Sequence, residues 1–163
     1  MSDQISGAAG GLDILHIGLG SFHRAHQAVY LHRLREAGDT QWSIVGGNIR
    51  NDMAETMAGL AAQNGEYTLE TVSPAGERRY ERIRSIRRVI AFDPSLAELI
   101  AVGASPSTRI ISFTVTEAGY YLDPKNRLDA SLADVRADLD GARGTIYGAI
   151  TAILAERMRR EKS

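Results

Sequence analysis

Ile14-Leu15-His16-Ile17-Gly18-Leu19-Gly20-Ser21-Phe22-His23-Arg24-Ala25-His26 reads as a short buried strand that breaks at two glycines and passes straight into a helix. Gly18 can take the tight turn that ends the strand, and Gly20, with no side chain, lets an anion approach the main chain. The helix that starts at Ser21 or Phe22 then turns its free N–H groups and the positive end of its dipole toward that anion. The stretch predicts a phosphate cradle, with Ile17, Gly18, Leu19, Gly20, Ser21, Phe22, His23 and Arg24 as its candidate contacts. The third glycine of the usual dinucleotide fingerprint is absent, and His23 stands in its place. A Gly-x-Gly between strand and helix also occurs with no ligand, so the glycines alone leave both readings open.

Outward from this turn the chain alternates strands and helices. A strand over about 12–17 feeds a helix over about 22–37, where Phe22, Ala25, Ala28, Val29, Leu31 and Leu34 form an apolar arc and Gly38-Asp39 supplies the stop. Trp42-Ser43-Ile44-Val45 is a second strand, and a helix over about 52–63 repeats Met53, Met57 and Leu60 at helical spacing, as core filler rather than a soft-metal site. Tyr67–Val72 and Arg78–Ile83 flank the turn Ser73-Pro74-Ala75-Gly76 and predict a β-hairpin. A strand over 89–92, a helix from near Pro94 to about 102, a highly buried strand over 109–115, and helices over about 132–139 and 145–160 complete the pattern. The fold class is therefore α/β: a Rossmann-like domain over 12–163 with a mostly parallel sheet and an inserted β-hairpin, after a flexible lead-in over 1–11.

Composition narrows the function classes. At 163 residues the chain fits one domain with a substantial core and is short for a two-domain enzyme. A net charge of −1 gives no global attraction to nucleic acid or to anionic membranes. The absence of cysteine removes disulfides and thiolate metal sites and is compatible with a reducing compartment. No basic and apolar leader precedes Gly11, and no apolar run reaches the roughly 20 residues that span a bilayer. A soluble cytoplasmic protein is expected, with neither nucleic acid nor membrane as partner.

Several side chains carry competing readings. Arg24, on the first helical turn, either offers its planar donors to phosphates or is an exposed helix arginine. His23 and His26 share a spacing that could hold a metal, but no third ligand is near, so no metal site is expected; dinucleotide contact or helix packing remains. After the second strand, Gly46-Gly47-Asn48-Ile49-Arg50-Asn51-Asp52 occupies the place that discriminates between dinucleotides. There Asn48 or Asp52 could hold a ribose hydroxyl, whereas Arg50 could accept a 2′-phosphate. Thr114, Thr116 and Glu117 close a buried strand at the crevice where open α/β sheets bind ligands, although Glu117 could equally be a carboxylate facing water. The arginines Arg78, Arg79, Arg82, Arg84, Arg87 and Arg88 alternate with apolar residues and lack clustered aromatics, which predicts a solvated hairpin face.

Gly18-x-Gly20-x-Phe22-His23-Arg24-Ala25-His26-Gln27 resembles the signature of the long-chain polyol dehydrogenases, the mannitol dehydrogenase family. Ile110-Ile111-Ser112-Phe113-Thr114-Val115-Thr116-Glu117-Ala118-Gly119-Tyr120 resembles that family's later strand beside the cofactor, and Thr145-Ile146-Tyr147-Gly148-Ala149 its following helix. The resemblance runs from about Leu12 to Arg160; His23–His32 and Trp42-Ser43-Ile44 are most similar to the family's D-arabinitol-oxidising branch. It implies NAD rather than NADP as cofactor, and a polyol substrate read by a later, mostly helical domain. In the family that domain supplies a lysine with asparagine and histidine side chains. Here no Lys-x-x-x-x-Asn-x-x-His pattern occurs, and the only lysines are Lys125 and Lys162, so no catalytic residue is assigned. A dinucleotide-binding domain inactive by itself is expected, the alternative being a stand-alone nucleotide-binding or regulatory module. Without the later domain, the stripe Ile146, Ile150, Ile153 and Leu154 is expected to stay partly uncovered and to favour self-association.

Overall fold

A computed structural model describes residues 11–162; the lead-in expected over 1–11 lies, apart from Gly11, outside the described residues. Four parallel strands form the central sheet in the order β5, β2, β1, β6: β1 is Leu12–Ile17, β2 Trp42–Gly47, β5 Ile86–Val89 and β6 Thr108–Phe113. An antiparallel hairpin, β3 (Tyr67–Val72) and β4 (Arg78–Ile83), is inserted before β5, with Tyr67 opposite Ile83 and Val72 opposite Arg78. The helices are α1 (Ser21–Ala25), α2 (Gln27–Glu36), α3 (Ala54–Ala62), α4 (Ala97–Gly103), α5 (Ala133–Leu139) and α6 (Ile146–Glu161). This is the Rossmann-type α/β domain that the strand and helix pattern predicts.

Each central strand feeds two cores because successive side chains point to opposite faces. Ile14 and Ile44 join Leu19, Ala28, Val29, Met57, Leu60, Ile83 and Ile86 on one face. Leu15, Ile17 and Val45 join Leu99, Ile146, Ala149 and Ile153 on the other, which α4 and α6 cover. At the N-terminal edge of the sheet the buried Asp13 carboxylate accepts hydrogen bonds from Ser43 (2.9 Å), Ser107 (3.0 Å) and the Arg87 guanidinium (2.8 Å), tying three strands together. Arg87 and Arg88 thus stand on β5 rather than on the hairpin face, while the hairpin's own Arg78 lies beside Glu70 and Arg82 beside Glu66 at 2.5 Å.

Four expectations are corrected. The helix expected over 22–37 is interrupted at His26, whose backbone leaves the helical region (φ −126°, ψ −88°). Its imidazole donates to the Phe22 carbonyl at 2.8 Å, taking the acceptor that its own amide would have used, and that amide turns to the His23 carbonyl. Half of the apolar arc is lost with it, since a 3.6-residue period does not carry across a break, while Ala28, Val29 and Leu31 on α2 are buried as expected. Phe22 is 64% exposed, Ala25 and Leu34 are exposed, and the buried places go to His23 and His32. The third strand lies at Ile86–Val89 rather than 89–92, though Ile90 remains core. Finally β6 is an edge strand among the described residues: Ile110 and Phe113 are 43% and 37% exposed, so the burial expected over 109–115 does not hold. On α6, Ile146 and Ile153 are buried, Ile150 is half-buried and Leu154 is exposed.

Two glycines test the backbone argument in opposite directions. A Cβ at Gly65 would stand 2.1 Å from the Ile86 carbonyl oxygen at φ +79°, whereas one on Gly59, inside α3, would meet nothing within 4 Å. Gly65→Ala is expected to lose about 2 kcal/mol or more. Gly59→Ala should gain about 0.5–1 kcal/mol from helix propensity. Thermal unfolding of the two variants checks both signs.

Candidate functional site

A cleft of about 430 Å³ opens beyond the carboxyl ends of β1, β2 and β6. Strand β1 lies between β2 and β6, so the strand order reverses there and the crevice is the place where open α/β sheets receive ligands. Ile17 and Gly18 line it from β1, Asn48, Arg50 and Asp52 from the loop after β2, and Thr114 and Thr116 from the segment after β6. These are seven of the residues singled out in the sequence. Thr145 and Ile146, at the start of α6, form another part of the wall.

The turn itself is built around Gly18, at φ +103°, where an added Cβ would stand 2.8 Å from the Thr114 carbonyl oxygen. Leu19 does not line the cleft. Its side chain is fully buried over Gly46, and its N–H donates to the Asn48 side-chain oxygen at 3.2 Å, which fixes the end of β2 against the turn. Gly20 caps α1 with no side-chain hydrogen bond, and a Cβ there would meet nothing within 4 Å. Ser21 and Phe22 are exposed beside it. By contrast, α6 offers no comparable opening. The Asp138 carboxylate already accepts from the Gly144 N–H (2.7 Å), the Thr145 hydroxyl (2.5 Å) and the Gly148 N–H (3.1 Å) there.

Arg24 turns away from the cleft: its Nε donates to the Leu19 carbonyl at 3.2 Å, and its guanidinium carbon lies 5.9 Å from the centre of the Tyr67 ring. Glu117 opens a 3-10 turn, Glu117–Tyr120, on the outer side and does not line the cleft. His23 is 1% exposed and stacks on His16 of β1, with ring centres 3.6 Å apart and planes 17° from parallel. Among the described residues no group of three or more metal-ligating side chains clusters. His23 thus fills the place of the fingerprint's third glycine with a ring packed flat on His16 of β1.

Sequence reasoning missed His16, Ser112, Gln27, Tyr121 and Thr145. His16 Nε2 lies 2.8 Å from the Thr114 hydroxyl and 3.2 Å from the Gly18 carbonyl; its Nδ1 lies 2.8 Å from the Ser112 hydroxyl, which in turn meets the Gln27 amide at 3.2 Å. Burial pushes the His16 pKa down to about 4, so the ring is neutral and one nitrogen donates while the other accepts. With Nε2–H donating to Thr114 and the Thr114 hydroxyl to Gly18 O at 2.9 Å, the network pins the turn to β6. Burial, reinforced by His16, lowers His23 to about 3, and neither of its ring nitrogens makes a hydrogen bond. A histidine inside the largely apolar run Leu12–Ile17, two residues before Gly18, was the signal available.

Across the mouth of the cleft, Arg50 Nη2 donates to the Tyr121 hydroxyl (2.6 Å) and to Asp134 (3.3 Å), while that hydroxyl donates to Asp134 (2.7 Å). Burial and the Asp134 hydrogen bond both raise the Tyr121 pKa, keeping the phenol protonated.

With this geometry in view, the sequence model of the mannitol dehydrogenase Rossmann domain matches residues 12–163. D-arabinitol 4-dehydrogenase of Ralstonia nicotianae is 60% identical over 149 residues, covering 90% of this chain and 32% of that protein. The Klebsiella pneumoniae D-arabinitol 4-dehydrogenase is 57% identical over 144 residues, with 88% and 32% covered. Among solved structures, Pseudomonas fluorescens mannitol 2-dehydrogenase in ternary complex with NAD and D-mannitol superposes with a TM-score of 0.86 at 34% identity, over 94% of this chain and 32% of that one. The chain therefore spans about a third of the length of the relatives it matches.

Proposed function

This chain belongs to the mannitol dehydrogenase family, and from that premise we propose that it is the NAD-binding domain of a polyol dehydrogenase acting on D-arabinitol or a similar sugar alcohol. The observation that carries the reading is the cleft at the strand-order reversal of a Rossmann-type sheet, lined by Gly18, Asn48, Asp52 and Thr114, with open space over Gly20 two residues on from Gly18. When bound, NAD supplies the hydride acceptor for oxidation of the alcohol to a ketose.

The chain's own residues bind and orient. The main chain at Gly20, Ser21 and Phe22 receives the pyrophosphate, because the uncapped start of α1 leaves N–H groups for an anion. Asn48 and Asp52 hold the adenosine ribose, and Thr114 and Thr116 lie toward the nicotinamide half. His16 is a positioning residue: through Thr114 it holds the Gly18 carbonyl and hence the turn. In this reading residues 12–163 form the cofactor domain, and the polyol pocket and its catalytic base belong to the portion of the relatives' length that this chain does not span.

Calorimetric titration with NAD and NADP tests the proposal, with NAD expected to bind more tightly. Gly20→Val should weaken NAD binding by about tenfold or more, because its methyls stand where the phosphate approaches. The thermal midpoint should hold, since the space is open. An unchanged affinity in a folded variant would mean that the phosphate lies elsewhere.

A further inference from the structure

The group that bridges the cleft mouth carries a meaning beyond shape. Arg50 stands three residues past the end of β2, where dinucleotide folds place the side chain that meets either a ribose hydroxyl or a 2′-phosphate. A free arginine there favours the phosphorylated cofactor. Here the guanidinium is engaged by two partners that lie far away in sequence, Tyr121 and Asp134.

We infer that Asp134 is a determinant of cofactor specificity: its carboxylate, with Tyr121 as the bridge, holds Arg50 away from a 2′-phosphate, so that the cleft takes the unphosphorylated dinucleotide. The inference rests on the NAD-binding reading of the cleft. Two observations support it. Tyr121 has a left-handed backbone, φ +49°, a strained conformation for a residue with a side chain, and its hydroxyl sits between Arg50 and Asp134. Arg50 and Asp134 remain 53% and 56% exposed, so the pair adds little to stability and acts as a reversible mask rather than a brace.

The test is calorimetric titration of the 163-residue chain and its variants with NAD and with NADP. Asp134→Ala is expected to strengthen NADP binding about tenfold while NAD changes less than about twofold, as removal of one half-screened charge pair allows. Adding Arg50→Ala to it should abolish the gain. An unchanged ratio of the two dissociation constants in Asp134→Ala overturns the inference. So does a gain that survives in the double variant, which would be loss of repulsion without release of Arg50, or an equal gain for both cofactors, which would be opening of the cleft mouth. If the unaltered chain binds neither dinucleotide, the NAD-binding reading itself fails, a result distinct from all of these.

Discussion

The 163-residue chain, saturated with NAD, is expected to oxidise neither D-arabinitol nor mannitol at a measurable rate. Alcohol oxidation needs a base for the hydroxyl proton, and such assistance is typically worth about 10²- to 10⁴-fold, with alignment of the alcohol adding more. The ionisable side chains lining the cleft are Arg50 and Asp52, beside the phenol of Tyr121. The Arg50 guanidinium offers donors and no acceptor, Asp52 is taken by the adenosine ribose in the proposed reading, and Tyr121 is held protonated. His16 lies behind the turn with its ring nitrogens engaged by Ser112 and Thr114. Lys125 is on an exposed turn and Lys162 follows α6, neither lining the cleft. Following formation of reduced cofactor with the homogeneous chain checks the expectation. Steady turnover would place a base within it, and Asp52→Asn, the carboxylate that lines the cleft, would be the first variant to assay.

What the sequence disclosed divides along the range of the interactions involved. The glycine turn, the β-hairpin and strands β1 and β2 are local patterns, and each stands where the residue periodicities put it. Helix α1–α2 and strand β6 were misread because their burial depends on partners. The side chain of His26 competes for a carbonyl within its own helix, and β6 is buried only as far as a neighbouring strand covers it. Local reasoning likewise found Gly18, Asn48, Arg50 and Thr114, all at strand ends. It could not find Tyr121 or Asp134, which reach Arg50 over 71 and 84 residues of chain. Nor could it choose between a ribose hydroxyl on Asn48 or Asp52 and a 2′-phosphate on Arg50, since what decides is whether the arginine already has a partner.

The buried histidine stack should make the fold sensitive to mild acid. His16 and His23 lie face to face and almost fully buried, with pKa values lowered to about 4 and about 3, mainly by that burial. In the unfolded chain both return to about 6.5. Between the two sets of values the unfolded chain binds more protons than the folded one, so stability rises with pH across this interval. It is fully present above about pH 7 and is lost as pH falls through 6.5 toward 4 and 3. At pH 5 each histidine should have cost roughly 2 kcal/mol. Carboxylates held low by partners, such as Glu81 on Arg33 and Glu156 on Arg159, lose their contribution only near and below their unfolded values around pH 4. The interval from pH 5 to 6.5 therefore isolates the imidazoles. Denaturant unfolding across it should show a clear slope in the unaltered chain and about half that slope in His23→Phe, which keeps a flat ring but cannot take a proton. The slope, unlike the absolute stability, does not depend on how well phenylalanine packs. Equal slopes in the two proteins would mean that the stack does not resist protonation, and the neutral His16 that positions Gly18 would lose its support.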